Sequence, residues 1–117
     1  KMNELNNTEW QIELVPLTGK GKKEFDAVIF RNNQVSIASY SKKGFPTTNY
    51  TLTIQGDGRI TWETMQTSEK AGVAFWRGDL DAKMQTMSGV VSYQVTKTAR
   101  NDFSFVSTSK KEVPPGK

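Results

Sequence analysis

The sequence has neither cysteine nor histidine among its 117 residues. Without cysteine there is no disulfide, thiol nucleophile or thiolate metal ligand. Without histidine, Ser-His-Asp and Cys-His catalytic arrangements and His-liganded zinc or iron are excluded, and no side chain titrates unperturbed near neutral pH. Long apolar runs are missing too: none approaches the ~18 residues of a membrane helix, so no membrane span is expected. No signal-peptide pattern follows Lys1, although a leader already removed leaves no trace.

Carboxylates are what remains for acid–base work, and the closest pairs are Glu24 with Asp26 and Asp79 with Asp81. Any alternating polar face yields such spacing, and Asp79-Leu80-Asp81 lacks the continuation of a calcium loop. No catalytic residue, metal site or cofactor is expected, and the chain reads as non-enzymatic. The formal charge of +4 is scattered over Lys20, Lys22 and Lys23, Lys42 and Lys43, and Lys110 and Lys111. These clusters fall in predicted loops and the tail, as solvated tips do. Tyr50 and Trp62 fall on an apolar face instead of among the lysines, so no stacking surface for nucleic acid is expected.

What is present is period-two alternation broken by turn signals, the pattern of an all-β domain. Trp10, Ile12 and Leu14 alternate with Gln11 and Glu13 up to Pro16. An Asn32-Asn33 turn places Arg31 opposite Gln34, Phe30 opposite Val35 and Val28 opposite Ile37, so apolar meets apolar. A Gly56-Asp57-Gly58 loop pairs Gln55 with Arg59, Ile54 with Ile60, Leu52 with Trp62 and Tyr50 with Thr64. A loop of Thr98, Ala99 and Arg100 sets Val95 opposite Phe103 and Tyr93 opposite Phe105, with Gly89 marking a bulge or bend.

These registers predict an antiparallel up-and-down meander of about eight strands forming a small barrel. Residues 1–108 are expected to form the single domain and residues 109–117 a flexible C-terminal tail, on the Pro114-Pro115-Gly116 composition. The stretch between Tyr40 and Asn49 reads as a flexible loop over one barrel mouth. Residues 25–30 are apolar on both faces, Phe25, Ala27 and Ile29 against Val28 and Phe30. Such a strand calls for a cover, either the segment around Leu5, a short helix or a second copy in a homodimer.

Trp10, Tyr50, Leu52, Trp62, Phe75, Met87, Tyr93 and Phe105 share the predicted inward face. Small barrels either fill their interior with such side chains or leave a ligand cavity. Arg77 continues the inward series of Val73 and Phe75, where its guanidinium needs a partner such as the ring of Trp10 or Trp62.

The early tryptophan, the succession of hairpins and the closing aromatic strand resemble the lipocalin-like (calycin) barrels. Thr8-Glu9-Trp10 stands where lipocalins carry Gly-x-Trp. The stretch from Trp62 to Ser68, followed by Phe75-Trp76-Arg77-Gly78-Asp79, is similar to small bacterial lipocalin-like proteins of uncharacterised function. Trp76-x-Gly78 is also similar to the tryptophan-glycine strand of the avidin group, whose polar biotin-binding set has no counterpart here. The lipocalin resemblance implies an arginine on the first-strand tryptophan and an interior for a small hydrophobic or amphipathic ligand. Its lining would be Trp10, Tyr50, Trp62, Phe75, Arg77 and Tyr93. The alternative is a side-chain-filled barrel acting as a protein-interaction module, a secreted inhibitor or envelope-associated subunit. Its surface would be loop 41–49 or strand 25–30. A cysteine-free chain rich in Ser, Thr and Asn suits an exported or periplasmic bacterial protein.

Overall fold

Alternation of apolar and polar residues produces the expected strands. The computed structural model describes residues 5–18, 21–95 and 99–114. In chain order these form β1 (Thr8–Pro16), β2 (Glu24–Arg31), β3 (Gln34–Ile37), a short helix α1 (Ala38–Lys42), β4 (Thr48–Asn49) and β5 (Thr51–Ile54). There follow β6 (Ile60–Ser68), β7 (Gly72–Leu80), β8 (Met87–Gln94) and β9 (Arg100–Glu112). The sheet order β4-β3-β2-β1-β9-β8-β7-β6-β5 joins each strand to a sequence neighbour and β1 to β9, giving an up-and-down, nearly closed barrel. No helix among the described residues is long and apolar enough to cross a membrane.

Two hairpins form as their turn chemistry dictates. Asn32 and Asn33 both take positive φ, 57° and 62°, and the pairs Arg31–Gln34, Phe30–Val35 and Val28–Ile37 follow. Asparagine tolerates that left-handed region better than other side chains, and the resulting twist matches the strands. The Gly56-Asp57-Gly58 loop closes with the Gln55 amide donating to the Arg59 carbonyl at 2.7 Å, and pairs Leu52 with Trp62 and Ile54 with Ile60. The expected Tyr50–Thr64 pair is absent from this ladder. The strand is interrupted at Tyr50 between β4 and β5, and the Thr64 hydroxyl donates instead to the Asn49 carbonyl at 2.7 Å. With Gln66 Nε2 donating to the Pro46 carbonyl at 2.9 Å, side chains close the seam that the ladder leaves open.

Three expectations need correction. The β8–β9 hairpin closes two residues earlier than expected, with the Val95 amide donating to the Ala99 carbonyl at 2.9 Å. Tyr93 therefore faces Asn101, Val91 faces Phe103 and Gly89 faces Phe105, while residues 96–98 lie outside the described residues. Packing decides this register: a β-carbon at Gly89 would lie 2.7 Å from the tip of the Phe105 ring, so the ring needs the bare glycine beneath it.

Second, the tail does not begin at residue 109, because β9 continues to Glu112 and pairs Ser109, Lys110, Lys111 and Glu112 with Gln11, Trp10, Glu9 and Thr8. A register shift between Gln11 and Ile12 lets the long strand follow the barrel's curvature. Of the expected tail, residues 115–117 lie outside the described residues.

Third, the segment after Tyr40 is not an open loop. It includes the end of α1, and it buries Tyr40 and Phe45 in one barrel mouth. Ile54, which pairs with Ile60 at the end of β5, is 57% exposed.

Candidate functional site: the barrel interior and the outer wall of β6 to β8

Trp10, Trp62, Trp76, Phe30 and Phe105 fill the interior, each under 2% exposed. Of the six expected ligand-lining residues, Trp10 and Trp62 are buried and Tyr50 and Tyr93 half-buried on the inner side. Phe75 and Arg77 are not inside. The faces of β7 are reversed from expectation: Ala74, Trp76, Gly78 and Leu80 point inward and Val73, Phe75 and Arg77 outward. Both faces of β7 carry apolar residues, so alternation alone leaves the choice open. Gly78 settles it, since a β-carbon there would lie 2.3 Å from the Trp62 indole nitrogen.

The inward residues divide between two aromatic groups. Phe30 meets Tyr50 and Trp62 edge-on at centroid distances of 5.2 and 5.1 Å. Towards the plugged mouth, Tyr40 contacts Phe45, Trp76 and Tyr93 at 5.4, 5.2 and 5.4 Å, and Trp76 contacts Phe105 at 5.5 Å. Phe30, Trp76, Phe105, Tyr40 and Phe45 carry much of this packing. The alternation of Ala74 with Trp76 was the available signal for Trp76.

The plug is held from β2. The residue before α1, Ile37, offers no side-chain cap, and Asp26 supplies one from the neighbouring strand β2. Its carboxylate accepts the Ser39 amide at 3.0 Å and the Ser39 hydroxyl. Lys43 lies over the rings of Tyr40 and Tyr93 at 4.5 and 4.9 Å. Burial, and next the carboxylates of Asp26 and Glu24, push the Tyr40 phenol well above the usual tyrosine range.

Trp10 donates its indole N–H to the Thr8 hydroxyl at 3.0 Å, and that hydroxyl donates to the Leu5 carbonyl at 2.6 Å. The cation over the Trp10 ring is Lys110, at 5.2 Å, instead of the expected Arg77. Lys110 also donates to the Met84 carbonyl at 2.9 Å. Four buried polar atoms have no hydrogen-bond partner among the described residues: Arg31 Nε at the end of β2, and Trp62 Nε1, Trp76 Nε1 and Gln66 Oε1 on the inner face of β6 and β7.

The outer wall gains what the interior loses. Met65 stands opposite Phe75, 61% and 39% exposed, with Val90 opposite Arg77 on the next strand. Beside them a groove of about 440 Å³ is lined by Gln55, Arg59, Thr61, Arg77, Asp79 and Ser88. On the opposite side of the barrel, Phe25 is 69% exposed, and Ala27 and Ile29 are half-buried beside Gln11 and Glu9. The expected cover is absent there among the described residues. Leu5, one candidate for it, is buried in the core. Compared with known protein families, curated proteins and solved structures, the chain gives no match.

Proposed function

We propose that this protein is a non-enzymatic interaction module, a side-chain-filled barrel that presents its outer wall to a partner protein. One observation carries the reading: Met65 and Phe75 pair across the outer face while the largest side chains pack inside. Exposed apolar clusters of this kind mark interaction surfaces when they are rimmed by polar groups. Glu63, Arg77 and Ser92 provide that rim. The test is binding of a hydrophobic fluorescent probe to the native protein. Loss of binding in a Met65→Ser/Phe75→Ser variant, with unchanged tryptophan emission throughout, supports the reading. Undiminished binding with tryptophan quenching overturns it.

A second copy of the chain is one partner this reading admits, docking on Phe25, Ala27 and Ile29. Sedimentation over a concentration series reads it. A sedimentation coefficient that rises with concentration, and ceases to do so in Phe25→Ser, assigns the dimer to β2; a constant coefficient removes it.

The second functional reading, a lipocalin-like barrel holding a small ligand, draws support from the partnerless indoles of Trp62 and Trp76 and the Gln66 carbonyl oxygen. An unmet buried polar group costs about 1–3 kcal/mol, which a guest bearing both an acceptor and a donor would relieve. The Lys110–Trp10 contact fits the lipocalin resemblance, and Lys110 takes the role expected of an arginine.

A further inference from the structure

Arg77 and Glu63 stand directly opposite each other on β7 and β6, where cross-strand side chains of opposite charge ordinarily meet. Yet the Arg77 guanidinium makes no ion pair or side-chain hydrogen bond with any described residue, and it lines the groove shared with Arg59. The donors in that groove outnumber the acceptors. Arg59 uses its Nε on Asp57 at 2.9 Å, which leaves its terminal nitrogens to the groove. The Ser88 hydroxyl has no hydrogen-bond partner among the described residues, and Gln55 spends one amide hydrogen on Thr61 at a long 3.4 Å. The single carboxylate, Asp79, already accepts the Thr61 hydroxyl at 2.6 Å. Two guanidinium groups with uncommitted N–H donors make a receptor for a planar oxyanion, to which they can bind bidentately.

The groove lies next to the apolar pair. Along β7, Phe75 and Arg77 are two residues apart on the same face, a separation of about 7 Å, and Met65 and Val90 flank them on the adjoining strands. Resting on the interaction-module reading, we infer that the partner is an acidic-apolar peptide segment. A Glu or Asp carboxylate of that segment enters the Arg59–Arg77 groove, and an apolar side chain two residues away lies on Met65 and Phe75. A free anion would leave the apolar pair unused, whereas an uncharged apolar segment would leave the groove's donors unmet.

The test uses the full chain and two blocked peptides, acetyl-Ser-Phe-Ser-Glu-Ser-amide and the same peptide with Glu replaced by Gln, with titrations followed by two-dimensional NMR. The expected result is saturable movement of the Phe75, Arg77 and Ser88 resonances with the Glu peptide. Affinity should weaken about tenfold for the Gln peptide, and similarly for Arg77→Gln with the Glu peptide. Added salt should weaken the Glu peptide selectively. Equal binding of both peptides at Met65 and Phe75 overturns the carboxylate assignment and leaves the outer-wall reading standing. Sodium acetate moving the Arg77 and Ser88 resonances at the same concentrations as the Glu peptide reduces the groove to an anion site and overturns the peptide. Loss of Glu-peptide binding in Met65→Ser/Phe75→Ser but not in Arg77→Gln also overturns the carboxylate.

Discussion

The Trp62 indole rests on Gly78 so closely that a β-carbon at residue 78 would come within 2.3 Å of its nitrogen. Gly78 in turn faces Gly89, and a β-carbon there would meet the Arg77 carbonyl at 2.0 Å and the Phe105 ring at 2.7 Å. Two adjacent glycines on neighbouring strands thus create the recess in which two of the largest core rings sit. Gly78→Ala should destabilise the fold by overpacking, by about 1–3 kcal/mol. Urea unfolding followed by circular dichroism checks it. A simultaneous Trp62→Phe change should return part of that loss, because the smaller ring vacates the clash.

The two hairpins with decisive turn residues were legible because Asn32-Asn33 and Gly56-Asp57-Gly58 fix both loop length and register. The faces of β7 were not. Val73 and Phe75 look as apolar as Ala74 and Trp76, and the deciding contact is the non-local one between Trp62 and Gly78. That choice carried Phe75 and Arg77 out of the candidate site and Trp76 into it. The extension of β9 was equally hidden, since Lys110, Lys111 and Glu112 are held by pairing with β1 from the other end of the chain. Their charges read locally as a tail. Helix α1 escaped notice because its cap comes from Asp26, thirteen residues before Ser39.

The Asp26–Ser39 contact should govern how firmly the plug is seated. Asp26→Ala removes the acceptor for both the Ser39 amide and hydroxyl and should cost about 1 kcal/mol, in the range of a lost helix cap. Hydrogen exchange resolved by residue checks it. Faster exchange at Ser39, Lys43 and Phe45 is expected, with the amides of β7 and β8 unaffected. Ser39→Ala, which keeps the hydrogen bond from the backbone N–H to the Asp26 carboxylate, should show a smaller increase.

Tyr40 makes stability sensitive to alkaline pH. Its folded-state pKa is raised, chiefly by burial and then by Asp26 and Glu24, so above pH ~10 the unfolded chain releases a proton that the folded chain retains. The unfolded state then binds fewer protons, and stability falls as pH rises. The contribution is fully present below that pH and declines by up to about 1.4 kcal/mol per pH unit above it. Tyr40→Phe should show a shallower decline between pH 10 and 11 in urea unfolding. Parallel declines would remove Tyr40 as the cause.

Lys110 should report on Trp10 without disturbing the other tryptophans. Lys110→Met removes the cation over the ring and the bond to the Met84 carbonyl. A cost of about 0.5–1 kcal/mol is expected for the partly exposed contact. The Trp10 indole resonance should shift while those of Trp62 and Trp76 remain in place. Movement of all three would mean that the contact organises the whole core.

Those same indole resonances distinguish a filled barrel from a hollow one. Titration of the native protein with 1-anilinonaphthalene-8-sulfonate, followed by two-dimensional NMR, reads the interior and the outer wall together. A filled interior predicts that the Trp62 and Trp76 indole N–H signals stay fixed while the Met65 and Phe75 signals move to saturation. Saturable movement of the Trp62 and Trp76 signals, with Met65 and Phe75 unchanged, would put the guest among the partnerless indoles and make the barrel a ligand carrier.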